Sequence, residues 1–390
     1  MGKEERKIVK CYCAFNNMPK EDNVLLDFAP HTHAKHEILR RYVSVWTPIL
    51  TLGGLNGRVV YIDGFAGSGQ YRDSDELGSP QLALDSVLEC PAFNRIKAEV
   101  SMLFIELDTK RADHLRAILK ARYTQIPKNV RYEVRNKEFN EELNKALDGL
   151  NKDNKRLAPT FCFVDPFGWS NLDYDTLARF MNEKKAELLI TFMVGFLSRF
   201  TTEERLTSIK NLFTDTQLAE INNANGDAKH LLISKLFMDN LKAKIRASNP
   251  DKPLYDLSFR TIDQHNNTMY YLLYLTSSPK GIEVMKDAMY ATSKGDKYLF
   301  SDYNFDPRQT RMMDYTDEPA WVREAGNEVY RCLAGKTFSK ERVKEFIIMN
   351  TKWVFRAPIL RYLEKEGKIR VSGKRNSNSY PDGCAIEFIA

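Results

Sequence analysis

Four short stretches of this chain hold residue types at spacings that could do chemistry. The first is Asp63-Gly64-Phe65-Ala66-Gly67-Ser68-Gly69. It follows an apolar run and precedes a helical region, so it reads as a strand-to-helix turn whose glycines leave room for a ligand. Backbone N–H groups where such a helix begins suit a carboxylate or a phosphate. The second is Glu106-Leu107-Asp108 at the end of another apolar run. An acidic residue there can accept hydrogen bonds from both ribose hydroxyls; Glu106 is the first candidate and Asp108 the alternate. The third is Asn136, at the end of a third run, where a polar side chain can meet adenine. The fourth is Asp165-Pro166-Phe167-Gly168-Trp169. The Asp165 carboxylate and the Pro166 carbonyl are two acceptors for a target –NH2, and Phe167 or Trp169 suits stacking on a flipped-out base.

Each stretch also has a plainer reading. The glycine turn can be structural only, Glu106 can be a solvated strand end, and Asp165 can cap a helix. Lys35 and His36 lie either on an exposed helix face or at the same crevice. Cys11, Cys13, His31 and His33 match none of the common zinc spacings, so no metal is expected.

The elements that would position these residues follow from the apolar pattern. Apolar runs over 59–62, 100–105, 130–134, 160–164, 188–192 and 270–276 read as strands, most of them buried on both faces. Helical periodicity marks 80–89, 110–122, 141–150 and 281–290, and a leading helix begins at His33, with Pro48 near its end and Gly53-Gly54 breaking the chain after it. Strands alternating with helices argue for a parallel sheet covered on both faces, a Rossmann-like α/β fold. Its strand ends meet in one crevice, where open α/β sheets bind ligands. Residues 1–30 read as an irregular leader, 200–250 as a helical insertion over the sheet, and 291–318 as a linker or ordered loop.

The last 70 residues change character. Helical patterns over 320–333, 339–350 and 356–366 precede two strand-like runs, 369–371 and 385–389, around a basic, polar tip. This is the outline of a winged helix, with Arg356, Arg361, Lys374 and Arg375 as candidate nucleic-acid contacts, or else a solvated hairpin. The expected domains are 1–315 and 320–390. A net charge of +6 over 390 residues permits a nucleic-acid partner without requiring one. Hydrophobic residues at 43% and charged residues at 28% suit a globular chain, and no apolar run is long enough for a membrane span. The charged first ten residues lack a signal-peptide pattern, so a cytoplasmic protein with reduced cysteines is expected.

Residues 61–71, then Gly78-Ser79-Pro80, then 163–168, together resemble the three-Cys-motif partner protein family (TcmP). The leading helix from Lys35-His36 to Trp46, residues 281–289 and Asn350-Thr351-Lys352-Trp353 fit the same resemblance, which covers nearly the whole chain. It implies a partner protein with three cysteines that resembles radical S-adenosylmethionine proteins. More distantly, Lys35-His36 with residues 63–71 resembles the adenine-N6 methyltransferases of large-subunit ribosomal RNA. That resemblance implies a class I methyltransferase sheet and S-adenosyl-L-methionine as cofactor. Its methionine end would be held by Asp63, Gly64, Phe65, Ala66, Gly67, Ser68 and Gly69, with Lys35 and His36 nearby. The fourth-strand motif of that family is Asp-Pro-Pro-Tyr, whose Asp binds the target amine. Asp165 and Pro166 match it; Phe167 stands for the second proline, Gly168 for the aromatic residue, and Trp169 lies one place later. The implied function is N-methylation of a nucleic-acid base. Two rivals are a methyltransferase-fold partner subunit that has lost catalysis and a winged-helix nucleic-acid-binding regulator.

Overall fold

The computed structural model describes residues 24–25, 30–53, 57–72, 74–166, 172–194, 212–263, 265–293, 299–301, 320–374, 376 and 379–390. Most of the expected leader, Phe167, Trp169, Arg375 and most of the expected linker lie outside them.

Eight strands form one sheet: β1 (Arg58–Asp63), β2 (Glu99–Glu106), β3 (Val130–Asn136), β4 (Thr160–Val164), β5 (Ala186–Phe192), β6 (Tyr255–Ile262), β7 (Thr268–Thr276) and β8 (Leu299–Ser301). Their order is β3-β2-β1-β4-β5-β7-β6-β8. The first five are parallel, and β7 enters antiparallel to both β5 and β6. This is the Rossmann-like class I methyltransferase sheet, extended at its edge by β8.

Strand register follows from burial on both faces. Along β4, Phe161 and Phe163 join one core while Cys162 and Val164 join the other. Such two-sided burial is what a parallel sheet covered by helices requires. One face is covered by α1 (Pro30–Leu52), α2 (Ser79–Leu88), α3 (Thr109–Arg122) and, after β7, α8 (Pro279–Thr292). The other is covered by α4 (Phe139–Lys152), α5 (Tyr174–Asn182) and, after the short α6 (Asp215–Asn223), α7 (Gly226–Ser248). The described part of the expected insertion is thus helical, and α7 is the crossover helix between β5 and β6. Phe237 on α7 packs against Phe192 of β5, ring centroids 4.4 Å apart.

Helix starts are set by local capping. The Asp108 side chain accepts from Arg111 N, Glu138 from Glu141 N, Asp173 from Asp175 N and Thr176 N, and Ser278 from Gly281 N. Helix α1 carries Pro48 near its end, in line with the sequence, and runs on to Leu52; burial of Trp46 and Thr51 against the domain outweighs the hydrogen bond that proline forfeits. Two departures from the sequence reading stand out. Leu299–Ser301, inside the expected linker, pairs parallel with β6. The glycine turn does not feed a helix directly: a loop over 70–78, tied by a Gln70–Leu77 bridge, comes before α2.

The C-terminal unit contains α9 (Ala320–Leu333), β9 (Thr337–Ser339), α10 (Lys340–Asn350), α11 (Ala357–Lys365), β10 (Ile369–Ser372) and β11 (Ala385–Phe388). Its strands form an antiparallel sheet in the order β10-β11-β9 over a core of its own that includes Val329, Ile347, Leu363 and Ile386. Among the described residues no helix is long and apolar enough to cross a membrane.

Phe161, fully buried in the central β4, tests the register. Phe161→Ala is expected to lower stability by about 3–5 kcal/mol, measured by urea unfolding. A loss under about 1 kcal/mol would mean that this side chain is not in the core.

Candidate functional site

The ends of β1 and β4, the start of α1 and the loop before α2 enclose a crevice of about 240 Å³. Its walls include Lys35 and His36 from α1, residues 65–71 after β1, Ser79 at the start of α2, and Asp165 and Pro166 after β4. It lies where neighbouring crossovers leave β1 in opposite directions, the place where open α/β sheets bind ligands. Residues taken from separate sequence motifs therefore meet: Lys35, His36, Phe65, Ala66, Gly67, Ser68, Gly69, Asp165 and Pro166 share one cavity.

The turn is held by hydrogen bonds to both neighbouring strands. Gly64 N donates to Phe163 O at 2.9 Å, and Ala66 N to Ile105 O at 2.9 Å. Gly67 and Gly69 have φ of +63° and +76°, in the left-handed region that penalises a side chain. Gly64 has a different reason to be glycine: a Cβ there would lie 2.6 Å from the Phe139 ring. The Gly69 carbonyl accepts from Gly78 N at 3.0 Å and from the buried Gln81 amide at 2.7 Å, which folds the 70–78 loop back on the turn.

Glu106 is 6% exposed and does not line the cavity. One oxygen accepts from Gly67 N and the other from Asp108 N, both at 2.8 Å. It therefore staples the turn to the exit of β2, and each oxygen keeps a second acceptor position. Asn136 and Asp108 have structural duties. The Asn136 amide donates to the carbonyls of Glu106 (2.9 Å) and Leu107 (2.7 Å) and accepts from Thr109 Oγ1 (2.9 Å). Asp108 caps α3. These bonds account for polar residues at both positions. Leu107 between them is 66% exposed, an apolar side chain at the crevice edge of the sheet.

Charge in the crevice is paired. Lys35 forms an ion pair with Asp165, and both side chains are largely buried. His36 Nε2 lies 3.2 Å from the Tyr71 hydroxyl. Burial, then the Lys35 charge, holds His36 well below the usual histidine range, so it is a neutral imidazole. Asp63 is fully buried behind the cavity wall. Burial pushes its pKa up to about 7 against a hydrogen bond from Ser79, and the nearby Asp165 pushes it further.

Sequence reasoning missed Thr32, Tyr71, Ser79, Met193 and Tyr270, all lining the cavity. Gly78-Ser79-Pro80 was legible as a helix start, and a helix start facing a glycine turn was the available signal for Ser79. Met193 directly follows β5 and Tyr270 lies near the start of β7, and neither carries a local signal. Of the candidate nucleic-acid contacts, Arg356 pairs with Asp287 at 2.9 Å, and Lys374 bonds Glu364 at 2.5 Å and lies 4.5 Å from the Tyr380 ring centroid. Arg361 is exposed.

The raised Asp63 pKa makes a signed prediction. Between about pH 4 and pH 7 the folded chain keeps a proton that the unfolded chain has released. This group's contribution to stability is thus fully present below the ordinary carboxylate value and is lost as pH rises through about 7. Asp63→Asn should flatten the stability difference between pH 5.5 and pH 8, measured by urea unfolding of both chains. Equal slopes in the two chains would show that Asp63 is not a protonated buried acid.

No protein-family model and no curated protein matches this chain. Solved structures resemble it remotely. Trm1 from Pyrococcus horikoshii, in complex with S-adenosyl-L-methionine, is 12% identical over 66% of this chain and 58% of its own, with a TM-score of 0.39. The O-methyltransferase from Bacillus cereus in complex with SAH is 15% identical over 71% of this chain and 92% of its own, TM-score 0.30. The cyclopropane synthase MmaA2 from Mycobacterium tuberculosis is 11% identical over 65% and 74%, TM-score 0.24. The fold assignment itself rests on the order and direction of the strands.

Proposed function

We propose that this chain is an S-adenosylmethionine-dependent methyltransferase acting on a nitrogen of a nucleic-acid base. One observation carries the reading: the glycine turn after β1, the Lys35-His36 helix and Asp165-Pro166 after β4 close around a single crevice on a sheet of this order. When bound, S-adenosylmethionine supplies an electrophilic methyl group. The backbone N–H groups of the turn and the start of α2 suit its carboxylate. Asp63, near its pKa at neutral pH, suits the positive methionine end. The remaining acceptor positions of Glu106 suit the ribose hydroxyls, and exposed Leu107 offers an apolar surface to the adenine.

The chain's own part in transfer is placement. Asp165 and the Pro166 carbonyl accept from the target –NH2, and Lys35, paired with the carboxylate, aims it. Phe167 or Trp169 supplies the stacking surface for the base. Holding donor and acceptor in line is most of the catalysis such a transfer needs. The C-terminal unit is read as a winged helix, with exposed Arg361 as its first phosphate contact.

A second reading is favoured by the Lys35–Asp165 pair itself. An aspartate already matched by an ammonium is a weaker acceptor for a substrate amine. This suits a subunit that binds the cofactor without transferring methyl and acts with the three-Cys partner implied by the TcmP resemblance.

Calorimetric titration with S-adenosylmethionine and S-adenosylhomocysteine tests the cofactor site. Glu106→Ala is expected to weaken binding by about 10- to 100-fold, the loss typical of a charged acceptor. Transfer of labelled methyl to RNA and DNA then separates the two readings. Loss of transfer in Asp165→Ala with cofactor binding retained supports catalysis; tight cofactor binding with no transfer to any nucleic acid supports the partner subunit.

A further inference from the structure

Lys286 is a lysine without access to water, 2% exposed on α8 of the sheet domain. Its ammonium is surrounded by carbonyls of the other unit. It donates to Ile348 O at 2.7 Å, to Ile347 O and Trp353 O at 3.4 Å, and to the Thr351 carbonyl. These are the last carbonyls of α10 and those of the turn after it, which lack partners within their own helix. A cation is favoured at that end of a helix dipole. The Asn350 amide and the Thr351 hydroxyl cap Phe346 O and Ile347 O locally, and Lys286 adds a cation from the neighbouring domain. Burial disfavours the charge and draws the Lys286 pKa down to about 8, so the carbonyl cage is what keeps an ammonium there worthwhile.

The same face of α8 makes three further contacts with this unit. Glu283 pairs with Lys344 at 2.8 Å, Asp287 with Arg356 at 2.9 Å, and the Tyr290 ring lies 5.3 Å from that of Trp321. Ile348 of α10 belongs to the same apolar core as α1 and α8. Strand direction places these contacts. Thr276, the end of antiparallel β7, pairs with Glu187 near the start of β5. Helix α8 therefore starts at the edge of the sheet away from the crevice and runs back toward it. Asp287 and Tyr290 lie in its crevice-side half.

We propose that Lys286 is a positioning residue that pins the C-terminal unit to α8, so that this unit and the crevice present one rigid surface to a macromolecular substrate. The unit is then not a tethered module that binds and swings independently. That the surface meets a macromolecular substrate rests on the function proposed above; the fixed seat of the unit on α8 does not.

Calorimetric unfolding and small-angle X-ray scattering of the full chain test it. The unaltered chain should unfold in one transition. Lys286→Met should split off a second, lower-melting transition and enlarge the radius of gyration, with S-adenosylhomocysteine affinity unchanged wherever the unaltered chain binds it. The Glu283→Lys/Asp287→Lys double variant, which reverses both ion pairs and leaves the buried carbonyl cage intact, should also loosen the unit. Adding Lys344→Glu/Arg356→Glu should restore the single transition. If Lys286→Met does not fold, the charge-reversal set decides alone. A single transition and an unchanged radius in the double variant, and in Lys286→Met where it folds, would overturn the proposal.

Discussion

Burying a carboxylate at the end of the central strand of a sheet is costly unless hydrogen bonds and counter-charge are brought to it. The crevice is organised around that demand at Asp63. β1 is flanked by β2 and β4 and covered on both faces, so its last side chain has no route to water. Relief comes from the turn that follows, through Phe65 N at 3.4 Å, and from Ser79 at the start of α2. Ser79 reaches it because the 70–78 loop doubles back, with the Gly69 carbonyl accepting from both Gly78 and Gln81. Lys35 brings positive charge from α1 and meets the second carboxylate, Asp165. The groups that make the crevice suitable for a charged ligand are therefore the groups that make Asp63 tolerable without one.

What could be read in the sequence follows from how each element is buried. β1, β2, β4 and β5 are covered on both faces and appear as predominantly apolar runs. β6 was not read as a strand: its first half alternates between exposed and half-buried positions, and Asp256, Ser258 and Arg260 interrupt the pattern. β8 and β9 are three residues each, too short for any period to show. α5 spans only nine residues, a short stretch for a period to show, although its buried positions, Leu177, Phe180 and Met181, have helical spacing.

Site residues divide in a similar way. A glycine turn after an apolar run specifies a place, because the backbone geometry itself demands those glycines. A polar residue at a strand end does not, because it serves a ligand and a neighbouring loop equally well. Asn136 and Asp108 turned toward the backbone: one braces the exit of β2 and the other caps α3. Charge near the C-terminus was ambiguous for the same reason. Arg356 and Lys374 meet carboxylates of the chain itself, and no composition count separates such residues from ones awaiting phosphate. Lys286 gave no signal at all, since a single lysine in a helical pattern reads as solvent-facing.

Helix α1 shows how these constraints combine. Lys35 and Tyr42 are seven residues apart, two turns on one face. At its start the helix is joined to Asp165, just beyond β4. Two turns later the Tyr42 hydroxyl bonds Glu187, at the beginning of β5, and lies 2.7 Å from the Tyr274 hydroxyl, which itself bonds Glu187 at 2.5 Å. Burial raises the pKa of both Tyr42 and Glu187. The helix is thus fixed by an ion pair at the crevice and by a buried hydrogen-bond cluster at the opposite edge of the sheet. A ligand that drew Lys35 from Asp165 would change the first anchor and leave the second in place. The side chain can respond to a ligand while the helix stays fixed, and that helix also supports α8 and, through Lys286, the C-terminal unit.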